Sequence, residues 1–149
     1  MYKKPAFRIQ PAVSLETEHF WTGGASNELR FLHCSDCATW IHPPQPICPG
    51  CTGKNLQPKV ASGNATVHTF TINRQAWIPG FEPPYVIALV EIDEDPTVRL
   101  MTQLVNVNVE KVYIGMRVQV LFEEQDNGFV YIPLFEPANP AERDEGESH

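Results

Sequence analysis

The sequence is short of charge, and shorter still of positive charge. Asp, Glu, Lys and Arg make up 19% of its 149 residues, against roughly 25% in an ordinary soluble domain. Hydrophobic residues reach 42% and aromatics 10%, so a chain disordered over most of its length is excluded. Eleven basic residues face eighteen acidic ones, a formal net charge of −7. That balance argues against a nucleic-acid binder, whose affinity comes mainly from neutralising phosphates. No apolar run approaches the ~18 residues of a membrane span. Residues Met1-Tyr2-Lys3-Lys4-Pro5 lack the apolar core of a signal peptide, so a cytoplasmic protein without membrane contact is expected. Catalytic patterns are missing too. There is no glycine-rich phosphate loop and no His-x-x-x-His pair. None of Ser14, Ser26, Ser35, Ser62 and Ser148 stands in a nucleophile elbow. Catalytic residues in this chain are therefore expected to be none.

Proline is abundant. Fourteen residues, about 9% against a usual ~5%, favour strands and loops over long helices. The four cysteines are more informative still. Cys34, Cys37, Cys48 and Cys51 read C-x2-C-x10-C-x2-C. Each C-x2-C folds as a knuckle that aims two sulfurs at one point, and two knuckles supply the tetrahedral thiolates that suit zinc. Two disulfides would need an oxidising compartment. A redox-active pair would need a helix N-terminus to lower a thiol pKa, whereas Pro43, Pro44, Pro46 and Pro49 fill this segment. Iron could take the same four ligands, as in a small electron carrier, and a red protein would reveal it. Zinc is the expected metal, because nothing else in the chain points to electron transfer. Four thiolates leave no open coordination position, so the site is structural. It fixes a segment with too little core of its own. His33 and His42 flank the site and are read as packing residues.

Along the chain, Pro5 and Pro11 make residues 1–13 an extended arm. Ser14 is the expected N-cap of a helix that carries Leu15, Phe20 and Trp21 and stops at Gly23-Gly24. Glu28 to His33 is a short strand into the first knuckle. Residues 65–72 alternate, but their apolar phase slips between Val67 and Phe70, the mark of a bulge. Tyr85 to Ile92 is almost continuously apolar and reads as a strand covered on both faces. Strands around Val98–Leu104 and Val118–Phe122 follow. A last strand at Phe129 and Tyr131 is joined to its predecessor by Gln125-Asp126-Asn127-Gly128, a hairpin signal. Residues 106–116 leave room for one helical turn. Five strands with a bulged first member fit an OB-type barrel. The organisation expected is an arm and helix at 1–27, a zinc ribbon at 28–60, a barrel at 61–137, and a disordered acidic tail at 138–149. The fold class is mainly β.

Several ordered pieces resemble the DUF35 family of acyl-CoA-associated proteins, which pair a rubredoxin-like zinc ribbon with a five-stranded OB fold. These are Phe20-Trp21; Glu28-Leu29-Arg30 before the first knuckle; Pro43-Pro44 before Cys48-Pro49-Gly50-Cys51; Ala61-Ser62-Gly63 before Thr66-Val67; Pro83-Pro84-Tyr85 leading into Val86 to Ile92; and Ile114-Gly115-Met116. The resemblance covers roughly residues 15–137. Family knuckles often carry glycine directly after each pair; here Ala38 and Thr52 stand there, with Gly53 one residue later. The resemblance implies a non-catalytic subunit that accompanies a thiolase-fold protein, such as a thiolase or a lipid-transfer-type aldolase. The partner carries the catalytic residues. The small protein stabilises it and helps acyl-CoA binding, as in steroid side-chain or aromatic degradation.

Candidate contact residues are few. Asn73 to Pro84 joins the first two barrel strands and carries Arg74, Trp77, Ile78 and Phe81 among three prolines. Large apolar groups on a rigid loop mark a contact surface for a partner or an acyl chain, unless Trp77 and Phe81 fold back to plug the barrel. Arg74 could meet a CoA phosphate or a surface carboxylate. Phe20 and Trp21 pack against the ribbon or dock on the partner. Glu91, Asp93, Glu94 and Asp95 read as a solvated turn, because consecutive strand residues point to opposite faces. The competing function is a nucleic-acid module, since OB folds and zinc ribbons both serve that role. It would need a basic groove, but Lys54, Lys59, Arg74, Arg99, Lys111 and Arg117 are dispersed among acids.

Overall fold

The computed structural model describes residues 2–144. Eight strands form two sheets. β1 (Leu29–Cys34), β2 (Trp40–Ile41) and β3 (Leu56–Ala61) make a three-stranded antiparallel sheet with β1 in the middle. β4 (Asn64–Asn73), β5 (Tyr85–Ile92), β6 (Asp95–Leu104), β7 (Arg117–Glu124) and β8 (Tyr131–Pro137) close into a barrel in the order β4-β5-β6-β8-β7. All its pairings are antiparallel except β6 with β8. The protein is thus mostly β, a ribbon followed by a closed five-stranded OB barrel.

The barrel closes because its first strand bends. Ala65 and Val67 point inward, Val67 faces Val90, and Thr69 faces Leu89, which leaves His68 as the extra residue. The bulge shifts the phase by one, so Phe70 and Ile72 turn back toward the core. The slip seen in the sequence is this bulge. Tyr85 to Ile92 forms one strand, as expected, but only one face is fully covered. Val86, Ala88, Val90 and Ile92 are buried, and the alternate residues are half-buried. A turn joins β7 and β8 where Asn127-Gly128 predicts one, although only the glycine is left-handed and the connection is longer than a two-residue hairpin. Gly128 takes φ +67°, and the Asn127 side chain accepts from the Phe129 and Val130 amides. One turn of 3-10 helix, Val109–Lys111, sits between β6 and β7.

The helical segment is shorter than expected. α1 spans only Glu18–Thr22, with Thr17 at its N-cap position and no side-chain cap hydrogen bond. Ser14 lies one turn earlier, its carbonyl accepting from the amides of Thr17 and Glu18. Leu15 is 93% exposed rather than packed on a helix face. Gly23-Gly24 does not stop the chain; it continues as 3-10 helix to Ser26 and ends at left-handed Asn27. The glycines are needed for close approach. A Cβ on Gly23 would stand 2.3 Å from the Glu28 carbonyl, and one on Gly24 2.3 Å from Tyr131 Cβ.

β3 has no counterpart in the sequence reading. Pro58 and its polar neighbours carry no alternation, and the strand exists because β1 offers it a full ladder from Leu29↔Ala61 to Cys34↔Leu56. The expected disordered tail is ordered in its described part. Asn139 caps a 3-10 turn at Pro140–Glu142, Arg143 donates to the Pro137 carbonyl, and the Asp144 amide donates to Asn106. Residues 145–149 of that expectation lie outside the described residues. Among the described residues, no helix is long and apolar enough to cross a membrane.

One core joins the two sheets. Leu29, Phe31 and Ala61 from the ribbon, with Phe20 from α1, pack with Val67, Val86, Val118 and Phe135 of the barrel. The cysteine end of the ribbon has only a small cluster, Cys34, Ile41 and Cys48 with Leu32 and Leu56.

Candidate metal centre and apolar cleft

Each cysteine pair sits on a tight turn. The Ala38 amide donates to the Cys34 carbonyl at 2.8 Å, and the Thr52 amide to the Cys48 carbonyl at 2.9 Å. Ala38 (φ 64°) and Thr52 (φ 61°) are both left-handed. These are the two positions where glycine is missing. The geometry of the knuckle demands a positive φ, and the non-glycine residues adopt it with strain.

The turns bring all four sulfurs within 4.8 Å of one another. Cys34 and Cys51 are 3.6 Å apart, Cys37 and Cys48 3.5 Å. A tetrahedron with zinc–sulfur bonds of ~2.3 Å has edges of about 3.8 Å, so the donor set fits the metal. Gly50 donates its amide to Cys48 Sγ at 3.3 Å. Cys37 lies 3.0 Å from the Thr39 hydroxyl. That hydroxyl and the Thr39 backbone hold the Cys37 thiol down to about 6. Cys51 goes the other way. The Gly53 amide favours its thiolate, but the crowding sulfurs of Cys37 and Cys34 prevail and push it up to about 12. Four thiolates this close repel, and a dication is what lets all of them ionise. Cys34 and Cys48 are buried, Cys37 and Cys51 exposed. The arrangement is a four-cysteine zinc ribbon whose ligands would hold a structural zinc.

The other expected site residues divide into two groups. Phe20 and Trp21 pack inward. Phe20 meets Trp21 edge-on at 4.8 Å, and stacks near Phe31 and His42. Phe81 lies against Tyr85 at 4.5 Å and under the Arg8 guanidinium at 5.1 Å. Trp77 is 71% exposed, with its indole N–H donated to Asn73. Arg74 pairs with Glu110 on the surface at 2.6 Å. The loop therefore neither plugs the barrel wholly nor stands wholly free.

Phe20, Trp21 and Phe81 converge on an apolar cleft of about 430 Å³. Tyr85, Ile87 and Met101 line it from the barrel, Ile78 from the β4–β5 loop, and Arg8, Ile9 and Pro11 of the arm form its far wall. Ile9 and Met101 are exposed at its mouth. Sequence reasoning found the loop and the aromatics but missed the arm. The signal available was Glu123, an acid that follows the alternating Val118, Val120 and Phe122 of β7. It is almost fully buried and needs a partner, and Arg8 supplies it at 2.6 Å.

The carboxylates at the β5–β6 turn hold structure. Asp93 takes both guanidinium nitrogens of Arg117 at 2.7 Å, Glu94 accepts from the Ser62 amide, and Asp95 accepts from Thr97. Glu91 pairs with His68 at 2.6 Å and Arg99 at 3.9 Å. Three of the barrel's basic groups are thus already committed to acids.

Comparison with known proteins covers both sheets. Residues 21–57 match the family model described as ChsH2, rubredoxin-like zinc ribbon domain, and residues 59–123 that described as ChsH2, C-terminal OB-fold domain. A probable enoyl-CoA hydratase alpha subunit of Thermomonospora curvata is 34% identical over 140 residues, which is 94% of this chain and 43% of that protein. The 3-oxo-4,17-pregnadiene-20-carboxyl-CoA hydratase alpha subunit of Mycobacterium tuberculosis is 33% identical over 79% of this chain and 37% of its own length. The chain thus spans less than half the length of these two relatives. A DUF35 domain-containing scaffold protein of Methanocaldococcus jannaschii is 35% identical over 66% of this chain and 73% of that one. Among solved structures, a chain of the Ltp2-ChsH2(DUF35) aldolase superposes with a TM-score of 0.78 at 33% identity, covering 87% of this chain and all of the other.

Proposed function

Because the chain belongs to the DUF35 family of zinc-ribbon and OB-fold scaffolds, we propose that it works as the non-catalytic subunit of a hetero-oligomeric enzyme acting on a bulky acyl-CoA. Its partner is a thiolase-fold protein, a lipid-transfer-type aldolase or a thiolase, which carries the catalytic residues. This chain stabilises the partner and contributes apolar surface to acyl-CoA binding. The observation that carries the reading is the likeness, over the whole of the other chain, to the DUF35 component of an aldolase. Two relatives with hydratase alpha subunit names support a subunit role, and one of those names contains a steroid-type acyl-CoA.

The site supports the same direction. Its cysteines are committed to a closed metal shell, and the cleft is lined mainly by apolar groups. Trp77 and Met101 offer exposed apolar contact near that cleft, of the kind that anchors protein interfaces. Arg74 is held by Glu110 and would have to exchange that partner to meet a CoA phosphate.

Co-expression with a thiolase-fold protein encoded beside it, followed by size-exclusion chromatography, tests the proposal. One peak containing both chains, with acyl-CoA cleavage dependent on both, is the expected result. Two separate peaks, with full activity in the larger protein alone, would overturn it. Titration of labelled single-stranded DNA and RNA at low salt is the control for the nucleic-acid reading; no micromolar binding is expected.

A further inference from the structure

The arm is attached to the barrel in an unusual way. Residues 2–13 contain no helix or strand, and one backbone hydrogen bond joins them to the rest of the described chain, Ala6 donating to the Gly80 carbonyl at 3.0 Å. Side chains do the remaining work. Arg8 donates to both oxygens of Glu123, at 2.6 and 3.0 Å, and to Gln103 at 3.1 Å. The Tyr2 hydroxyl also donates to Glu123. Gln10 donates to Gln125 at 2.7 Å. Glu123, Gln103 and Gln125 are all buried; Gln125 donates to Glu123 at 2.9 Å within the barrel, and the arm supplies the cation that faces the buried carboxylate.

The arm covers something. It forms one wall of the apolar cleft, and through Gly80 and the Phe81 ring under Arg8 it is tied to the loop that forms another. The barrel strands do not depend on it, since their ladders close among themselves. A segment held by a few side chains over a self-sufficient scaffold opens as a local unit.

We infer that residues 2–13 are a displaceable strap over the apolar cleft, latched by the buried Arg8–Glu123 pair, and that the loop Asn73–Pro84 is released together with it. Opening the strap uncovers the cleft floor at Ile87 while the barrel stays folded. The latch suits this task. A buried pair holds firmly while both members are present and weakens when either is lost, because the survivor keeps its charge without its counter-ion. The inference concerns this chain alone and stands whether or not the partner is a thiolase-fold protein.

Amide hydrogen exchange of the full zinc-loaded chain tests it, with Glu123→Gln and Arg8→Gln as separate variants. The Ala6 amide of the strap and the hydrogen-bonded Trp77 and Phe81 amides of the loop are expected to exchange together and faster than β5–β8. Each variant should accelerate both segments by about tenfold or more, with the barrel strands unchanged. The double variant should add little, since one latch is broken either way. Binding of an apolar fluorescent dye should rise in step. Unchanged exchange of the Ala6 amide in both variants would overturn the latch. Loss of protection throughout the barrel would also overturn it, by making the pair a core element. Acceleration of the strap without residues 74–82 would overturn the coupling.

Discussion

At the scale of single residues, two side chains stand where glycine would be more comfortable. Ala38 and Thr52 hold φ near +60° because the knuckle turns require it. A left-handed conformation costs a non-glycine residue about 1–2 kcal/mol, while glycine gives part of that back through its freer unfolded state. Ala38→Gly and Thr52→Gly should each raise stability by about 0.5–1 kcal/mol, the β-branched Thr52 gaining more. Thermal unfolding of the zinc-loaded variants checks this. His42 is a different case. It is packed on Phe20 and Phe31, and its Nδ1 has no hydrogen-bond partner. Burial, with His19 nearby, pushes its pKa down from 6.5 to about 4. The unfolded chain then binds more protons than the folded one between those values, so stability falls as pH drops from 6.5 to about 4. The loss expected is about 3 kcal/mol. His42→Phe should remove that part of the slope, measured by urea unfolding across this window. His19 is also lowered, first by burial and then by Arg30, and leaves a residual slope of the same sign.

At the scale of elements, the ribbon and the barrel stand on different supports. Leu29 and Phe31 at the base of β1 belong to the barrel's core, while the knuckles have only Ile41, Leu32 and Leu56 beside the cysteines. Ordering backbone costs ~1–2 kcal/mol per residue, more than so few side chains return. The metal must supply the difference, and structural zinc contributes on the order of 10 kcal/mol. Chelation at neutral pH should therefore abolish exchange protection across residues 34–54 and leave β4–β8 protected. Cys48→Ser should reproduce it. Trp40, packed on His33 and Lys59, reports the loss by fluorescence. Uniform unfolding of both sheets would refute this division. Elements also differ in how well they could be read. The bulge at His68 and the turn at Asn127-Gly128 were legible because both leave a local mark, a broken period and a turn-forming dipeptide. β3 and the true start of α1 were not. β3 is defined by its ladder to β1, and α1 by packing of Phe20 that a capping pattern around Ser14 does not encode.

At the scale of the whole molecule, acidity and apolar exposure act together. The net charge is −7, and Trp77 and Met101 are both more than two-thirds exposed. A surface of this kind disfavours polyphosphates and suits a protein partner. Trp77→Ala should leave stability within about 0.5 kcal/mol, since little of the ring is buried. It should weaken association with the proposed partner subunit by about 2 kcal/mol. Calorimetric unfolding and titration of the two purified chains separate these effects.

The sequence by itself pointed to the four-cysteine site, because each C-x2-C spacing aims two sulfurs at one point, and to most of the barrel, because strand periodicity is a local property of the chain. Only the tertiary structure decided what encloses the cleft. Arg8 and Glu123 are 115 residues apart, and nothing in either neighbourhood announces the other. An extended segment without periodicity finds its place through a few buried polar partners. Those partners come together only after the barrel has closed.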